Sequence, residues 1–558
     1  MNIRQRFSDW LARPPVWLMA LVVFVIAIFF SAMIQYRPTF NDPDCFYHLR
    51  ITEMMLEQGG PVRLFSSLPF TILGDNYIDH HFFYHVLLMP FVAFMEPHEG
   101  WLVGSIVMSA AVIAAFYVLL RRYQVRYPLI FSLLLATSGH FAFRLNLSKA
   151  VSASVLMLIL GVWAAKSGKR VWLAALAGVF VWMYDGWPLL PLVLLFGILA
   201  RVLVELAEGD GERVLTSGAV WRGLARLDPA SWRRCCAVPE VANFGAALFG
   251  SAVGVVVNPY FPQNLVFFWE HIVQIGLFNY KDSIQVGSEW YPLALSRLPK
   301  TAPSLYIVLG LTLMALFGAV YSGARTRNLA SLRRRLPDMF FSTLVTSFFV
   351  VMALRNQRHV DYLVPFLGLA VPIIFTMLSE GIDWRATARD FRERVGGFAY
   401  GGLKFLGGLL AALIVVFWAL VFFFDVKYQV IKKLDGIPWT TGLGAMAALS
   451  RVAPPGATVF NSEWDAFPML FYWNQDFRYM NGMDPTFMYR HDPVKFFIWQ
   501  SISDGAQERG SALLMKRVFG ARFAIIGSRS DKLQDIMNKD PLVRIIFSDP
   551  DFTVYRIY

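Results

Sequence analysis

The sequence predicts a mainly α fold, a polytopic bundle of transmembrane helices followed by a small C-terminal α/β domain. Three observations carry this expectation. The 558 residues are 56% hydrophobic and only 16% charged, with a mean hydropathy of +0.48, too apolar for a soluble globular chain. Apolar stretches recur at lengths of about 20 residues, enough to cross roughly 30 Å of hydrocarbon. After residue 425 the pattern changes to short strand-like runs that alternate with helix-like stretches. The net charge of +12 sits in short basic loops between apolar runs, as the positive-inside rule expects, and does not point to nucleic acid. The three cysteines, Cys45 and the adjacent Cys235 and Cys236, offer neither a disulfide framework nor a metal-finger spacing.

Taken in order, the first apolar run, Pro14 to Tyr36, is too long for a signal-peptide core and lacks a small-residue cleavage site, so it reads as a retained span. Arg4, Arg6 and Arg13 before it place the N-terminus in the cytoplasm. An outer loop, 37–98, follows, and its segment 82–96, broken by Pro90, is expected to lie at the interface. Spans are expected near 100–120, 128–143, 150–165, 171–184 and 187–206, the last two hinged at Tyr184-Asp185-Gly186-Trp187-Pro188. Arg121, Arg122, Arg126, Lys166, Lys169 and Arg170 fall on the cytoplasmic side, as do Arg213, Arg222, Arg226, Arg233 and Arg234 of the loop 207–238. A span near 241–258 leads to a second outer loop, 259–302. Spans near 303–321, 338–354, 359–380 and 399–424 complete a membrane domain of residues 1–425, with Arg333-Arg334-Arg335 and the stretch from Arg385 to Arg394 in inner loops. The total is about eleven spans, up to about thirteen. An odd count leaves residues 426–558 outside. There, strands near 457–460, 522–526 and 552–558 alternate with helices near 465–473, 493–502 and 531–538.

Several polar groups stand at the outer ends of these spans. Asn41-Asp42-Pro43-Asp44 follows the first span and reads either as a solvated turn or as oxygen ligands for a hard divalent cation such as Mg²⁺ or Mn²⁺. In Asp79-His80-His81-Phe82-Phe83-Tyr84-His85, a helix would put His81 and His85 on one face, suited to a metal or a proton relay; the alternative is an interfacial aromatic and histidine belt. Arg144 and Lys149 end a short span, where cations either snorkel or bind a lipid phosphate. Glu289, in Ser288-Glu289-Trp290-Tyr291-Pro292, carries no signal of its own. Arg358 at the mouth of a span suits bidentate phosphate contact, or a helix-end pair with Asp361. Trp464-Asp465 reads as a strand end entering a helix N-terminus.

In this order the pieces resemble the catalytic subunit of oligosaccharyltransferase, a GT-C membrane glycosyltransferase, over nearly the whole length. Asp44-Cys45-Phe46-Tyr47-His48-Leu49-Arg50 is similar to the family's first acidic motif, which implies Asp44 as metal ligand or general base and Asp42 as an accessory. The run from Pro90-Phe91 to Gly100-Trp101 is similar to the family's entry into its second span. Glu289 with Pro292 resembles the outer-loop glutamate that closes over the acceptor, and Arg358 with Tyr362 and Pro365 resembles the arginine motif holding the donor phosphate. Trp464-Asp465 stands where the family has Trp-Trp-Asp-Tyr-Gly, with Glu463, Ala466 and Phe467 departing from it. The second acidic motif is missing: Val151 and Ala153 occupy its place beyond Arg144. A metal on Asp44 would then need ligands such as Asp42, Asp79, His80 or His81, or else Lys149 and Arg144 offset the phosphate charge without one.

The resemblance implies a transferase in the plasma (inner) membrane that moves a sugar or oligosaccharide from a polyprenyl-(pyro)phosphate donor to a protein or glycan acceptor on the extracytoplasmic, periplasmic side. Asp44, Asp42 and Glu289 are the catalytic candidates; Arg358, Arg144, Lys149 and Tyr362 would hold the donor phosphate; Trp464, Asp465 and Glu289 would hold the acceptor. Asp44, Asp79 and His81 are the candidate ligands for Mn²⁺ or Mg²⁺. The rivals are a GT-C transferase modifying a lipid or glycan from a polyprenyl-monophosphate sugar, a transporter or flippase of lipid-linked precursors, and a non-catalytic scaffold.

Overall fold

The computed structural model describes residues 15–208, 238–321, 329–424, 427 and 436–558. Arg4, Arg6 and Arg13, the arginines expected in the loop 207–238, Cys235, Cys236 and the junction at 425–426 lie outside the described residues. The chain is a multi-pass membrane protein. Among the described residues six helices are long and apolar enough to cross a bilayer, and two bent helix pairs raise the number to eight. Val151–Lys166, Arg170–Met183 and Leu189–Val204, all expected as spans, are apolar but shorter. Phe82–Phe94, with Pro90 inside it, is a helix packed on its neighbours in the bundle.

The expected span 128–143 is broken. Pro128–Ala136 and Gly139–Leu145 meet at an angle of 71°. The cause is local: Thr137 and Ser138 donate their hydroxyls to the carbonyls of Leu133 and Leu134, at 2.7 and 2.8 Å, and Gly139 follows. Side chains that compete for backbone acceptors, followed by glycine, end a helix. The expected loop 259–302 is also partly helical, with Gln263–Phe268 running into a π-helical turn, Trp269–Phe278. Its last part, Leu295–Thr301, meets the helix from Pro303 at 98°.

Where helices touch most closely, glycine makes the approach possible. A Cβ on Gly250 would lie 2.0 Å from the Ala174 carbonyl oxygen, and one on Gly254 would lie 2.5 Å from that of Gly178. The helices Arg170–Met183 and Pro239–Val256 therefore meet backbone to backbone, and Trp182 Nε1 donates to the Gly254 carbonyl at 2.7 Å. Small residues four apart permit such contact in a medium with no hydrophobic drive between helices.

The C-terminal region holds a five-stranded mixed sheet: β3 (Thr458–Asn461), β4 (Arg478–Tyr479), β5 (Phe523–Gly527), β6 (Val543–Ser548) and β7 (Phe552–Ile557), in spatial order β4-β3-β5-β7-β6. β3 runs parallel to both neighbours, as its helical crossovers require, while β5-β7 and β6-β7 are antiparallel. The expected strands and helices are present to within a residue or two. The two-residue strand β4, the strand β6 and the helices Leu443–Ser450, Pro485–His491 and Ser511–Phe519 are not among the elements the sequence predicts. This region is seated on the segment after the first span. β1 (Thr39–Phe40) pairs antiparallel with β2 (Ile437–Pro438). Tyr479 N–H donates to the Ser67 carbonyl at 2.7 Å, and Phe46 and Phe65 pack their rings against Tyr472 and Phe467.

Candidate active site

A cavity of about 1120 Å³ opens between this region and one end of the bundle. Asp42, Asp44, Arg144, Lys149, Glu289, Trp464 and Asp465 all line it. The basic clusters gather at the other ends of the same helices: Arg122 donates to Ser167 and the Lys166 carbonyl, and Arg335 pairs with Glu380.

The Asp42-Pro43-Asp44 turn is built by its own chemistry. The Asp42 carboxylate accepts the Asp44 N–H at 3.0 Å, and Pro43, at φ −56°, leads into the helix Asp44–Gln58. Such a side-chain-to-backbone turn followed by a helix start places Asp44 in the first turn, where the helix dipole favours its negative charge. Opposite it, Lys149 Nζ lies 2.8 Å from Asp42 Oδ1 and 2.8 Å from Asp44 Oδ2. The strand of chain before Lys149 is clamped: Gln35 donates to Asn146 at 2.6 Å and accepts from Ser148 at 2.9 Å, and Asn41 donates to the Asn146 carbonyl at 2.9 Å. Ser148 is held at φ +58°, a left-handed conformation that costs a non-glycine residue free energy and persists only where its surroundings enforce it. Burial raises the Asp42 pKa to about 6 against the pull of Lys149, with Asp44 adding to the rise. Burial alone would lower the Lys149 pKa, but Asp42 and Asp44 outweigh it and raise it.

Beside this pair lies a second cluster. Arg144, at the end of the bent helix, donates Nε and Nη2 to the two oxygens of Asp361, each at 2.8 Å, and Nη1 to Glu289 at 2.9 Å. Arg358 Nη1 is 3.5 Å from the other Glu289 oxygen, and Nη2 donates to the Tyr184 hydroxyl. The Arg358 guanidinium also lies 5.0 Å from the centre of the Trp290 ring, a cation–π distance. Burial would raise the Glu289 pKa, but Arg358, Arg144 and Lys149 hold it well below the usual carboxylate range. The Ser288–Trp290 turn is fixed against the bundle by Asn279 donating to the Trp290 carbonyl at 2.9 Å and by Gln357 N–H donating to that of Tyr291 at 2.9 Å.

The sheet region supplies the facing wall. Arg529 bonds both Glu463 and Asp465, the latter at 2.6 Å, so one of the two negative charges around Trp464 is offset from within its own region. Trp499 and Phe496 line the same wall.

Three expected site residues lie elsewhere, and Arg358 stands behind Glu289 and Trp290 without lining the cavity itself. Tyr362 is buried, with its hydroxyl 2.9 Å from Ser154 Oγ, and does not line the cavity. Asp79 and His81 are buried in a separate network, where Asp79 Oδ2 meets His85 Nδ1 at 2.7 Å, His85 Nε2 meets His48 Nδ1 at 2.8 Å, and Asp79 Oδ1 accepts the His81 N–H. Neither lines the cavity with Asp44. Among the described residues no three His, Cys, Asp or Glu side chains are grouped to hold a metal ion. Asp44, expected to bind one, shares the Lys149 ammonium with Asp42 instead, a single positive charge where a divalent cation would bring two. The residues present therefore do not fit a Mn²⁺ or Mg²⁺ site built from Asp44, Asp79 and His81.

Sequence reasoning missed three partners. Asp361, in the sequence only an alternative helix-end partner for Arg358, meets Arg144, 217 residues away. Tyr184 and Arg529 were not singled out; the Tyr-Asp-Gly-Trp-Pro hinge was the one signal for Tyr184, and Arg529 had none.

No family model matches the sequence, and no curated protein matches it. Solved structures do. The Archaeoglobus fulgidus oligosaccharyltransferase in its apo form is 13% identical with a TM-score of 0.54, covering 91% of this chain and 70% of its own. The same enzyme tethered to an acceptor peptide with an Asn-Val-Thr sequon is 14% identical with a TM-score of 0.53, over 99% and 75%. ArnT from Cupriavidus metallidurans bound to undecaprenyl phosphate is 15% identical with a TM-score of 0.50, over 98% of each chain. The chain thus has the GT-C fold that these two membrane glycosyltransferases share.

Proposed function

We propose that the protein is a membrane glycosyltransferase that moves a sugar or oligosaccharide from a polyprenyl-linked phosphate or pyrophosphate donor to an acceptor bound in the cavity. The observation that carries this reading is the Asp44–Lys149 pair lying on the same cavity as Glu289, which joins Arg144 to Arg358, at one end of a bundle with the GT-C fold. A polyprenyl chain cannot leave the bilayer, so its sugar–phosphate bond must be presented at the end of the helices.

In this reading Asp44, the more exposed of the two aspartates at 30% against 19%, takes the proton of the acceptor nucleophile. The nucleophile bonds to the anomeric carbon, the carbon–oxygen bond to phosphate breaks, and its electron pair stays on the phosphate. Lys149, Arg144 and Arg358 stabilise that developing charge, as fixed cations do best where charge appears in the transition state. Asp42 holds Lys149 and the turn. Trp464 and Asp465 on the facing wall are the acceptor contacts. The basic residues at the opposite ends of the helices support a cavity on the extracytoplasmic side, in the plasma (inner) membrane.

The acceptor is a protein asparagine if the oligosaccharyltransferase likeness extends to chemistry. A lipid or glycan acceptor is the second reading, favoured by Arg529, which ties up Glu463 and Asp465 where the sequon-reading motif would stand. Purified protein incubated with labelled polyprenyl-linked sugars and envelope lipids or peptides tests both. Transfer should be abolished in Asp44→Asn at unchanged expression, and near-normal transfer by that variant would sink the assignment.

A further inference from the structure

Each cation of the site has a carboxylate partner, and one of these partnerships differs in kind. Asp361 belongs to a helix, is 3% exposed, and grips one edge of Arg144 through Nε and Nη2, each at 2.8 Å. Asp42 and Asp44 belong to the turn that Lys149 closes. Glu289 sits on a short turn, Ser288–Trp290, in the irregular stretch between Asn279 and Thr301, and is 28% exposed to the cavity. Its two oxygens are divided between guanidiniums from different elements, Oε2 to Arg144 and Oε1 to Arg358. Two guanidiniums converging on two oxygens of one anion is the geometry used for phosphate. The Arg144 nitrogen that Glu289 occupies, Nη1, is the one that Asp361 leaves free.

We propose that the Glu289 carboxylate is a resident anion in the donor's phosphate seat, displaced when the donor arrives, and that the seat takes a single phosphodiester, as in a polyprenyl-monophosphate sugar, in preference to a diphosphate. The proposal rests on the donor reading above and narrows it. Charge is the argument for the narrower class. Exchanging one carboxylate for one phosphodiester leaves the net charge of the cluster unchanged. A diphosphate brings further negative charge to Arg144 and Arg358, while Asp361 already engages Arg144 and two aspartates already engage Lys149. Displacement also releases the turn carrying Trp290, which covers Arg358. Position 287 of that segment faces Trp464, since a Cβ there would lie 3.8 Å from the indole. Donor arrival is thereby linked to the acceptor wall. Glu289 is in this account a positioning residue, and its presence weakens donor binding by the fraction of time it fills the seat.

The test uses the full-length protein in nanodiscs with two sugar-free probes, undecaprenyl methyl phosphate and undecaprenyl methyl diphosphate, which differ by one phosphate. The wild type is expected to bind the monophosphate about tenfold tighter. Glu289→Gln is expected to tighten monophosphate binding by about fivefold or more, an effect that a merely structural role would not produce. In the wild type, hydrogen exchange of residues 285–291 is expected to speed up on addition of the monophosphate. Tighter or equal binding of the diphosphate overturns the preference. Unchanged or weaker monophosphate binding by Glu289→Gln, or unchanged or slower exchange in the wild type, overturns the displacement. Failure of both probes to bind either protein overturns the donor reading itself.

Discussion

Replacing Lys149 by alanine removes the ammonium that Asp42 and Asp44 share. Each carboxylate oxygen lies 2.8 Å from Nζ, so the two are no more than twice that distance apart. At an effective dielectric constant of about 20, two unit charges at that separation repel by about 3 kcal/mol. That repulsion already contributes to the raised Asp42 pKa; the substitution removes the closer Lys149 attraction that opposes it, so the proton affinity of the pair rises by at least about two pH units. Asp42, already at about 6 in the presence of Lys149, should then carry a proton at neutral pH. Loss of a fixed cation beside the leaving phosphate should lower the transfer rate by about 10²–10³, and the acid limb of the pH–rate profile should move up by about two units. The vacated carboxylates should also accept a hard divalent ion weakly, in the millimolar range. The assay is initial-rate sugar transfer by wild type and Lys149→Ala from pH 5 to 9, in EDTA and in about 5 mM Mn²⁺. Equal wild-type rates in both media, with partial recovery of the variant only in Mn²⁺, are expected. A wild type inactive in EDTA and restored by Mn²⁺ would refute the reasoning, because the aspartates would then take a metal despite Lys149.

Three further outcomes are expected. Asp361→Ala leaves Arg144, at 12% exposure, without its bidentate partner; a loss of about 3–5 kcal/mol should appear as a large fall in thermal midpoint, and a shift within error would show that Glu289 alone suffices. Gly250→Ala puts a methyl group 2.0 Å from the Ala174 carbonyl oxygen, and separating those helices should cost about 1–3 kcal/mol, measurable as lower melting and altered cross-linking between them. Because the folded pKa of Asp42 is raised from 3.8 to about 6, its contribution to stability is fully present below about pH 4 and is lost as pH rises through about 6. The thermal midpoint should therefore fall over that window more in the wild type than in Asp42→Asn; parallel curves would contradict the shift.

Much of the fold was legible because hydrocarbon imposes its length on sequence. The helices Val16–Gln35, Pro97–Arg122, Val360–Gly381 and Gly397–Phe424 fall within a few residues of their apolar runs. The miss at 128–143 has the same root, since an apolar count registers length and is blind to Thr137 and Ser138 turning their hydroxyls onto the helix behind them. The stretch 259–302 reads from the sequence as the outer loop that follows a span, although part of it is helical.

For the site, local spacing supplied the aspartate turn and the positions of its cations, but not their partners. Asp361 lies three residues from Arg358 in sequence, which offers the two as a helix-end pair beside the phosphate reading of Arg358. In the folded chain the bend after Ala136 carries Arg144 to Asp361, and Arg358 turns to Tyr184 and Glu289. Helical spacing in the segment from Asp79 to His85 offers His81 as a metal ligand beside Asp79, but both lie buried with His85 and His48.

The sequence by itself determined the membrane bundle, its basic and polar ends, and the Asp42-Pro43-Asp44 turn, because these follow from hydropathy, charge and backbone chemistry over a few residues. Only the tertiary structure decided which charge answers which. Lys149 reaches Asp42 and Asp44 across more than 100 residues of chain, and Glu289 joins Arg144 to Arg358, because ion pairs form between groups brought within about 4 Å in space, whatever their distance along the chain.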